Sequence, residues 1–349
     1  MILTMSVIPE ALQSENMRSA AASLVSWRTL ALILAIINLK NLPFAWHFRL
    51  LYHFLGNLRW KPTDPFFPKG MAIVDAHGNP THPLFVPVTI TSRTPLLETD
   101  YNLHKSNSTY FSDLDVARTA LVTRIYSPGV GITSKELDEE FLAASQKEGK
   151  KAPRRLPIMI VLGSVYCTYK REIKPFERYE MQTKVISWDK KWLYTLTVFL
   201  RPAKKAGGEK TLLAIGVSKY VVKKGRLTVA PERILRAGGF LPARPAGIQP
   251  FGTPVDSSAE ASAIGTPASG EGITAGGVDG SLVREVLKIS EDQLPDQETL
   301  EQEKKANSES WNSEEWSWER IEQERLRGLE VVEPYINIDS KLEHEVHGK

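Results

Sequence analysis

The chain has little cysteine, little charge imbalance and no apolar run of bilayer length. Cys167 is the only cysteine among 349 residues, which excludes an internal disulfide and a multi-cysteine zinc site and fits a reducing compartment. Lysine and arginine number 44 against 41 acidic residues, so nucleic acid is not expected as a partner. Glycine-rich phosphate loops, metal-ligand spacings and the G-x-S-x-G elbow are also missing, so no metal or cofactor is predicted.

The longest apolar run, TLALILAIINL, occupies residues 29–39. As a helix it would span only ~16 Å, about half of a bilayer core. Extended over residues 21–46 it would barely cross, with Arg28 and Lys40 reaching the two interfaces. The following segment mixes aromatic and basic side chains, as interfacial helices do. We therefore predict that residues 1–60 associate with a membrane, either monotopically or barely spanning it.

Two further expectations accompany this membrane-associated segment. The folded domain is expected to face the cytosol, and the endoplasmic reticulum is one membrane that would fit. The alternative interpretation is a pair of helices packed on the folded domain, with no lipid contact.

The central part of the chain has the pattern of a strand, one long helix and several more strands. A proline-rich linker is predicted at residues 61–82, followed by a strand with alternating β-branched residues. From Asn107 to Ile125 apolar residues recur at helical spacings, and SPGVG at residues 127–131 is predicted to end the helix. Four strand-like runs follow with short connections, as in antiparallel hairpins. We predict an α+β domain at residues 83–238, whose antiparallel sheet is covered by this helix.

The C-terminal part divides by composition into two segments. Residues 239–282 are rich in small and turn-forming residues, cannot bury enough apolar surface, and are predicted to be disordered. Residues 283–349 form an acidic, helix-prone tail with several large apolar residues near one helical face. A marginal helix on a tail and a partner-binding helix are both consistent with this pattern.

One polar cluster, ETDYNLHKSNSTYF, precedes the predicted helix at residues 98–111. If the stretch is extended, Asp100, Asn102 and His104 project to the same side. The N–H groups of the first helical turn, near Asn107, would lie beside them and could stabilise an oxyanion. A carboxylate there can act as a base on water or as a nucleophile at a thioester carbonyl. The cluster thus favours acyl transfer to water, although the same residue types also form ordinary turns and helix caps.

The segment TDYNLHKSNSTYFSDLDVAR resembles the signature of hot-dog-fold thioesterases, in which an acidic strand end and a His-x-Asn turn open the central helix. The segment REIKPFERYEMQTKVISWDKKWLYTLTVF at residues 171–199 is similar to a strand pair of the same proteins. Over residues 84–236 the chain looks most like the thioesterase superfamily member six-like proteins and their fungal relatives. The resemblance implies an antiparallel sheet wrapped round one long helix. It also implies a homodimer with the acyl-thioester tunnel between protomers.

The resemblance implies roles for individual residues as well. Asp100 matches the catalytic aspartate of 4-hydroxybenzoyl-CoA thioesterases. Together with Asn102 and His104 it also matches the Asp-x-Asn-x-His triplet of plant acyl-carrier-protein thioesterases. Glu172 in YKREI matches an acidic residue that contributes to catalysis in the plant enzymes. Substrate contacts are expected from residues that open the helix, namely Ser106, Asn107 and Tyr110.

Three residues of the cluster depart from the family pattern. Glu98 stands where an aspartate is usual, and Lys105 and Ser106 stand where an apolar residue and a first asparagine are common. Lys105 would either favour the charged form of Asp100 or form a surface salt bridge with Glu98.

The hypothesis is a membrane-tethered thioesterase acting on acyl-CoA or an acyl carrier protein. One alternative is a hot-dog domain that binds lipid or acyl chains without hydrolysis while its acidic tail recruits a partner. Another is a dehydratase using His104 as a base. Acyl length and pathway, whether lipid metabolism or secondary metabolite biosynthesis, stay open.

Overall fold

The computed structural model describes residues 26–59, 73–75, 78–147, 149, 155–205, 207–242, 245 and 315–347. Its α-helices are α1 (Trp27–Ile37), α2 (Ala45–Asn57), α3 (Asn107–Lys147), α4 (Pro231–Ala237) and α5 (Trp318–His347). Its strands are β1 (Val88–Arg93), β2 (Ile158–Tyr169), β3 (Arg178–Trp188), β4 (Trp192–Arg201), β5 (Thr211–Lys224) and β6 (Leu227–Val229). Nearly all of the segment predicted to be disordered, and most of the predicted linker, lie outside the described residues.

The strands form one antiparallel sheet in the order β1, β3, β4, β5, β2, with β6 beside the end of β5. Strand β1 pairs with β3, with Val88 opposite Thr183. Strand β2 pairs with β5 and forms the other edge of the sheet, with Ile158 opposite Lys224. Helix α3 connects the two edge strands, so it has to cross the whole sheet.

The core lies between α3 and one face of the sheet. Leu114, Leu121 and Ile125, on the face predicted from their spacing, are fully buried in a cluster with residues of β3, β4 and β5. Val122 and Tyr126, on other sides of α3, are buried as well because α2 and α4 also pack against this helix. An antiparallel sheet round one long helix was the predicted hot-dog arrangement, and that part of the prediction is confirmed.

The predicted end of α3 at residues 127–131 is wrong, because the helix continues to Lys147. A Cβ on Gly129 would lie 2.0 Å from the Ile234 carbonyl oxygen, so α4 approaches the helix backbone directly at this glycine. Further along, the buried Nζ of Lys224 on β5 donates to the carbonyl oxygen of Ser134 at 3.1 Å. Tertiary packing thus outweighs the poor helix propensity of the SPGVG segment.

The N-terminal region forms two helices rather than one. Helix α1 ends at Ile37, and the chain turns at Phe44 with a φ of 64°, so the continuous helix considered over residues 21–46 is wrong. Helix α2 buries Leu50 and Phe54 and packs on α3, as the alternative interpretation expected. No helix in the described part of the chain combines the length and the apolar character needed to cross a bilayer.

Helix α5 covers the outer face of the sheet, which is the face turned away from α3. A Cβ on Gly328 would lie 1.8 Å from the carbonyl oxygen of Ile186 on β3, so the helix touches the strand backbone. The Arg325 side chain donates to the Trp188 carbonyl at 2.8 Å, and the Ser187 hydroxyl donates to the Arg325 carbonyl at 2.7 Å. The acidic tail therefore contains a helix, and this helix is part of the folded domain instead of a separate segment.

Candidate functional site

The polar cluster forms a closed turn at residues 98–106, which we call the site loop. The Asp100 N–H donates to the His104 carbonyl at 2.9 Å, and the Leu103 N–H donates to the Asp100 carbonyl at 3.0 Å. Leu103 has a φ of 59°, an uncommon conformation for a residue with a side chain. The extended stretch with three side chains on one side is therefore wrong, because the chain reverses between Asp100 and His104.

The Asp100 carboxylate stabilises this turn. Its Oδ1 accepts hydrogen bonds from the backbone N–H groups of Asn102 at 2.9 Å and His104 at 3.4 Å. Aspartate commonly makes such bonds to the backbone two residues further on. Asp100 and His104 are half-buried, whereas Asn102 is exposed at the tip of the site loop. Asp100 thus has a structural role, and its carboxylate also remains in contact with solvent.

The site loop leads directly into the N-terminus of α3. The Ser106 N–H donates to the Glu98 carbonyl at 2.7 Å, which closes the loop. The Thr109 N–H then donates to the Ser106 carbonyl at 3.0 Å in the first turn of the helix. Only two residues separate His104 from the first residue of α3. The partially positive helix end is therefore close to the two half-buried polar residues of the loop.

Glu172 lies beside the site loop, on the segment that follows β2. The Lys105 N–H donates to the Ile173 carbonyl at 2.8 Å, which holds the two segments together. A hydrogen bond from its own backbone N–H and the nearby charge of His104 lower the pKa of Glu172. The exposed Glu172 carboxylate is therefore within electrostatic range of His104.

The three residues predicted to contact substrate lie together at the start of α3. Ser106 is half-buried and Asn107 is exposed, and the Asn107 carbonyl accepts a hydrogen bond from the Tyr169 hydroxyl at 3.1 Å. Tyr110 is buried, with its ring centroid 4.9 Å from that of Tyr169 and 5.1 Å from that of Phe199. This burial raises the pKa of Tyr110, which therefore stays a neutral core residue.

An ionic cluster beneath the site loop was not predicted from the sequence. Its members, here called the buried ion cluster, are Lys40, Arg49, Glu98, Lys105, Asp113 and Tyr179. The Lys105 ammonium lies 2.6 Å from Oε2 of Glu98 and 2.9 Å from Oδ2 of Asp113. Lys105 does pair with Glu98, as one alternative expected, but both side chains are buried, so the surface location was wrong.

Lys40 brings the N-terminal helices into this cluster. Its ammonium lies 2.9 Å from Oε2 of Glu98 and 2.8 Å from Oδ1 of Asp113. Lys40 therefore does not reach a membrane interface, as the longer span required. Burial lowers the pKa of Lys40, although the Asp113 charge opposes that effect.

The carboxylate of Asp113 is charged at the centre of the cluster. Burial alone would raise its pKa, but Lys40, Lys105 and Arg49 outweigh burial and hold the pKa well below its usual range. One sequence signal could have indicated this: Asp113 lies three residues after Tyr110 and four before Ala117, on the apolar face of the helix. A carboxylate on an apolar face needs buried cations as partners.

The site loop carries groups whose chemistry suits water and a carbonyl group. No group of three or more histidine, cysteine, aspartate or glutamate side chains suited to a metal occurs among the described residues. What the loop offers is a carboxylate, an imidazole and a helix N-terminus in close succession. These groups can accept a proton from water and stabilise negative charge on a carbonyl oxygen.

Comparison with known proteins identifies the family. A model described as the thioesterase-like superfamily matches residues 94–237, which include the site loop, α3 and strands β2 to β6. Thioesterase lcsJ of Purpureocillium lilacinum is 38% identical over 234 residues, covering 63% of this chain and 74% of that protein. The probable thioesterase atnL of Emericella nidulans is 34% identical over 221 residues, covering 59% and 69%. Thioesterase poxG of Penicillium oxalicum is 32% identical over 234 residues, covering 62% and 72%. The chain therefore belongs to the thioesterase-like superfamily.

Proposed function

We propose that the protein hydrolyses acyl thioesters carried by coenzyme A or by an acyl carrier protein, with Asp100 as general base or nucleophile. The observation that carries this proposal is the position of the half-buried Asp100 carboxylate, in the turn that opens directly into α3. Superfamily membership and three fungal relatives named as thioesterases support the same reaction class. The matched family region contains both the carboxylate and the helix N-terminus.

The reaction needs a proton to pass from water through the base to the leaving sulfur, and it needs one stabilised oxyanion. With Asp100 as base, water loses a proton to the carboxylate and attacks the thioester carbonyl carbon. N–H groups of the first turn, near Asn107, stabilise the resulting oxyanion. The carbon–sulfur bond then breaks, and the sulfur takes up the proton, giving a carboxylic acid and a free thiol. His104 and Glu172 orient the water or the substrate in this scheme.

We further propose a homodimer that forms through strand β2. This strand of 12 residues lies at an edge of the sheet and is paired only with β5 within the described residues. A long edge strand rich in β-branched residues is prone to pair with another chain. The exposed Tyr101 and Leu103 at the tip of the site loop would then meet the partner.

Monotopic membrane association through α1 is also part of the proposal. No residue of this helix is buried, and Trp27 and Leu30 are 75% and 68% exposed. Apolar residues cover more than one side of it, which is typical of a helix in an apolar medium. With 11 residues it would lie in the interface of a membrane rather than cross it, and the folded domain would face the cytosol.

Acyl-chain binding without hydrolysis is the second candidate function. The observation that favours it is that Asp100 Oδ1 already accepts two backbone hydrogen bonds of its own turn. If that bonding is its only role, the domain would hold a thioester without cleaving it.

The test measures free thiol released from short, medium and long acyl-CoA by the purified full chain. Asp100→Asn should lower the turnover at least about 100-fold, since general base catalysis contributes that much. Asp189→Asn is the matched control, because Asp189 Oδ1 also accepts two turn N–H groups, those of Lys191 and Trp192, away from the site loop. Unchanged turnover in Asp100→Asn would reject the mechanism. Binding without thiol release by the wild type would favour the second candidate, and water loss from a β-hydroxyacyl thioester would indicate a dehydratase.

A further inference from the structure

Helix α5 crosses the outer face of the sheet from one side to the other. It touches β3 through Gly328 and Ile186 and reaches the edge strand β2 through Tyr335. The Tyr335 hydroxyl is hydrogen-bonded to the Ser164 hydroxyl, and its ring centroid lies 6.0 Å from that of Tyr166. Because β2 is the last strand of the sheet, the helix has no further strand of its own chain to cover beyond this point.

The remainder of α5, residues 337–347, which we call the overhang, extends by about 16 Å past that contact. It carries three apolar side chains that are largely exposed: Ile338 at 53%, Leu342 at 61% and Val346 at 80%. Their spacing of four residues places them on one side of the helix, which continues the side of Tyr335. Water therefore contacts a continuous apolar stripe at the end of the helix.

The stripe is only partly turned away from the side of α5 that packs on the sheet. Sheet contacts are made by Gly328, Val332 and neighbours at helical spacing. At about 100° per residue, Ile338 and Leu342 lie roughly 100° and 60° from the mean direction of Gly328 and Val332, whereas Val346 returns to within about 20° of it. Ile338 and Leu342 face sideways, where another helix beside α5 would cover them.

We propose that the overhang packs antiparallel against the overhang of a second copy of this chain, an inference that rests on the proposed homodimer. Pairing of two β2 edges about a two-fold axis reverses the direction of α5 in the partner. Each overhang then crosses the paired β2 strands beside the overhang of the partner. The apolar stripe of one overhang thereby faces the apolar stripe of the other. Such a contact is self-complementary, as two-fold interfaces require.

The charges of the overhang fit a second copy better than a lipid surface. Lys341 and Glu345 lie on the same flank of the stripe, which is where antiparallel helices related by two-fold symmetry pair opposite charges. Asp339, Glu343 and Glu345 make the segment acidic overall, whereas helices that lie on membranes are usually basic on their polar face. The second copy is thus the occupant that the stripe and its flanks favour.

The first experiment measures the dimerisation constant of the full chain by sedimentation over a concentration series. The double variant Ile338→Asp and Leu342→Asp should weaken the dimer at least tenfold while the circular dichroism spectrum of the folded chain stays unchanged. Leu326→Asp is the matched control, because Leu326 is exposed on the same helix before the overhang and should leave the dimer intact.

The second experiment detects the contact itself by cross-linking. In a Cys167→Ser background, the variants Ile338→Cys, Leu342→Cys and Val346→Cys are treated with a short bis-maleimide, singly and as mixed pairs. Covalent dimers joined within the overhang support the proposal, and Leu326→Cys should give none. If the wild type is a dimer but gives no cross-links within the overhang, and the aspartate substitutions do not weaken it, the helix contact is overturned and the homodimer is retained. A wild type that stays monomeric at every concentration would overturn both the helix contact and the homodimer. The proposed thioesterase activity is tested separately, by the release of free thiol.

Discussion

Lys105 and Asp113 form an ion pair with 2.9 Å between Nζ and Oδ2, and both side chains are completely withdrawn from solvent. The lysine belongs to the site loop and the aspartate to α3, so the pair fixes the loop on the helix. Two further cations, Lys40 and Arg49, contact the same carboxylate at 2.8 Å and 3.1 Å. Asp113 therefore neutralises charge from three different segments.

Asp113→Asn is expected to destabilise the protein by about 3–5 kcal/mol, because it leaves buried cations without their counter-charge. The free energy of unfolding in urea measures this effect. Glu324→Gln is a suitable control, since Glu324 pairs with Arg327 at the surface and the change should stay within about 0.5 kcal/mol. Equal stabilities of Asp113→Asn and the wild type would contradict a role of this carboxylate in holding the cluster together.

Gly129 and Gly56 provide a matched pair of helical glycines with opposite surroundings. At Gly129 of α3 a Cβ would lie 2.0 Å from the Ile234 carbonyl oxygen, whereas at Gly56 of α2 nothing lies within 4 Å. Gly129→Ala should force α4 away from α3 and cost several kcal/mol, at least about 2. Gly56→Ala should be neutral or stabilise by up to about 1 kcal/mol, because alanine favours the helix. Thermal unfolding of both variants measures these changes. A Gly129→Ala variant as stable as the wild type would contradict the close packing of the two helices.

These glycines also show which features of the fold were predictable. The buried face of α3 could be predicted because Leu114, Leu121 and Ile125 recur at helical spacing. This signal involves only residues close to one another in the sequence. The true end of α3 could not be predicted, because the helix continues past Gly129 where α4 packs on it. In the sequence, α4 lies more than a hundred residues after Gly129. Local propensity favoured a stop at the glycines, and a distant packing contact outweighed it.

The candidate site also has some features that the local sequence predicts and others that depend on distant residues. The site loop and its position before α3 follow from the local sequence, whereas the extended shape was wrong because Asp100 bonds to its own turn. Lys40 lies 58 residues from Glu98 and 73 from Asp113, so no local pattern connects them. Only the carboxylate of Asp113 on an apolar helical face gave a hint of the buried ion cluster.

Gly328→Ala should loosen α5 from the outer face of the sheet. The new methyl group would lie 1.8 Å from the Ile186 carbonyl oxygen, so the helix has to move away from β3. Hydrogen exchange is expected to rise in residues 318–336 while α3 stays protected. Leu326→Ala changes an exposed residue of the same helix and should leave the exchange of these residues unaltered. Equal protection of α5 in Gly328→Ala would contradict the close approach of helix and strand.

His82 makes the stability of the fold depend on pH. The side chain is fully buried, accepts a hydrogen bond from the Leu84 N–H at 3.3 Å, and lies 5.6 Å from the Trp316 ring between centroids. Burial lowers the pKa of His82 from 6.5 to about 3, so the folded protein keeps the imidazole neutral. Below its usual pKa the unfolded chain binds a proton that the folded chain does not bind. Acid therefore favours the unfolded state, and this effect is absent above the usual pKa.

We expect the free energy of unfolding to fall by up to about 1.4 kcal/mol per pH unit as the pH drops from about 6.5 to about 4.5. His82→Asn keeps a side-chain acceptor for the Leu84 N–H but cannot titrate, so its stability should change less over this interval. The interval stays above the usual pKa of aspartate, so Asp113 contributes little to the slope. The difference between wild type and variant, measured by urea unfolding at several pH values, isolates the histidine. Parallel pH profiles would mean that the imidazole is not held neutral beside Trp316.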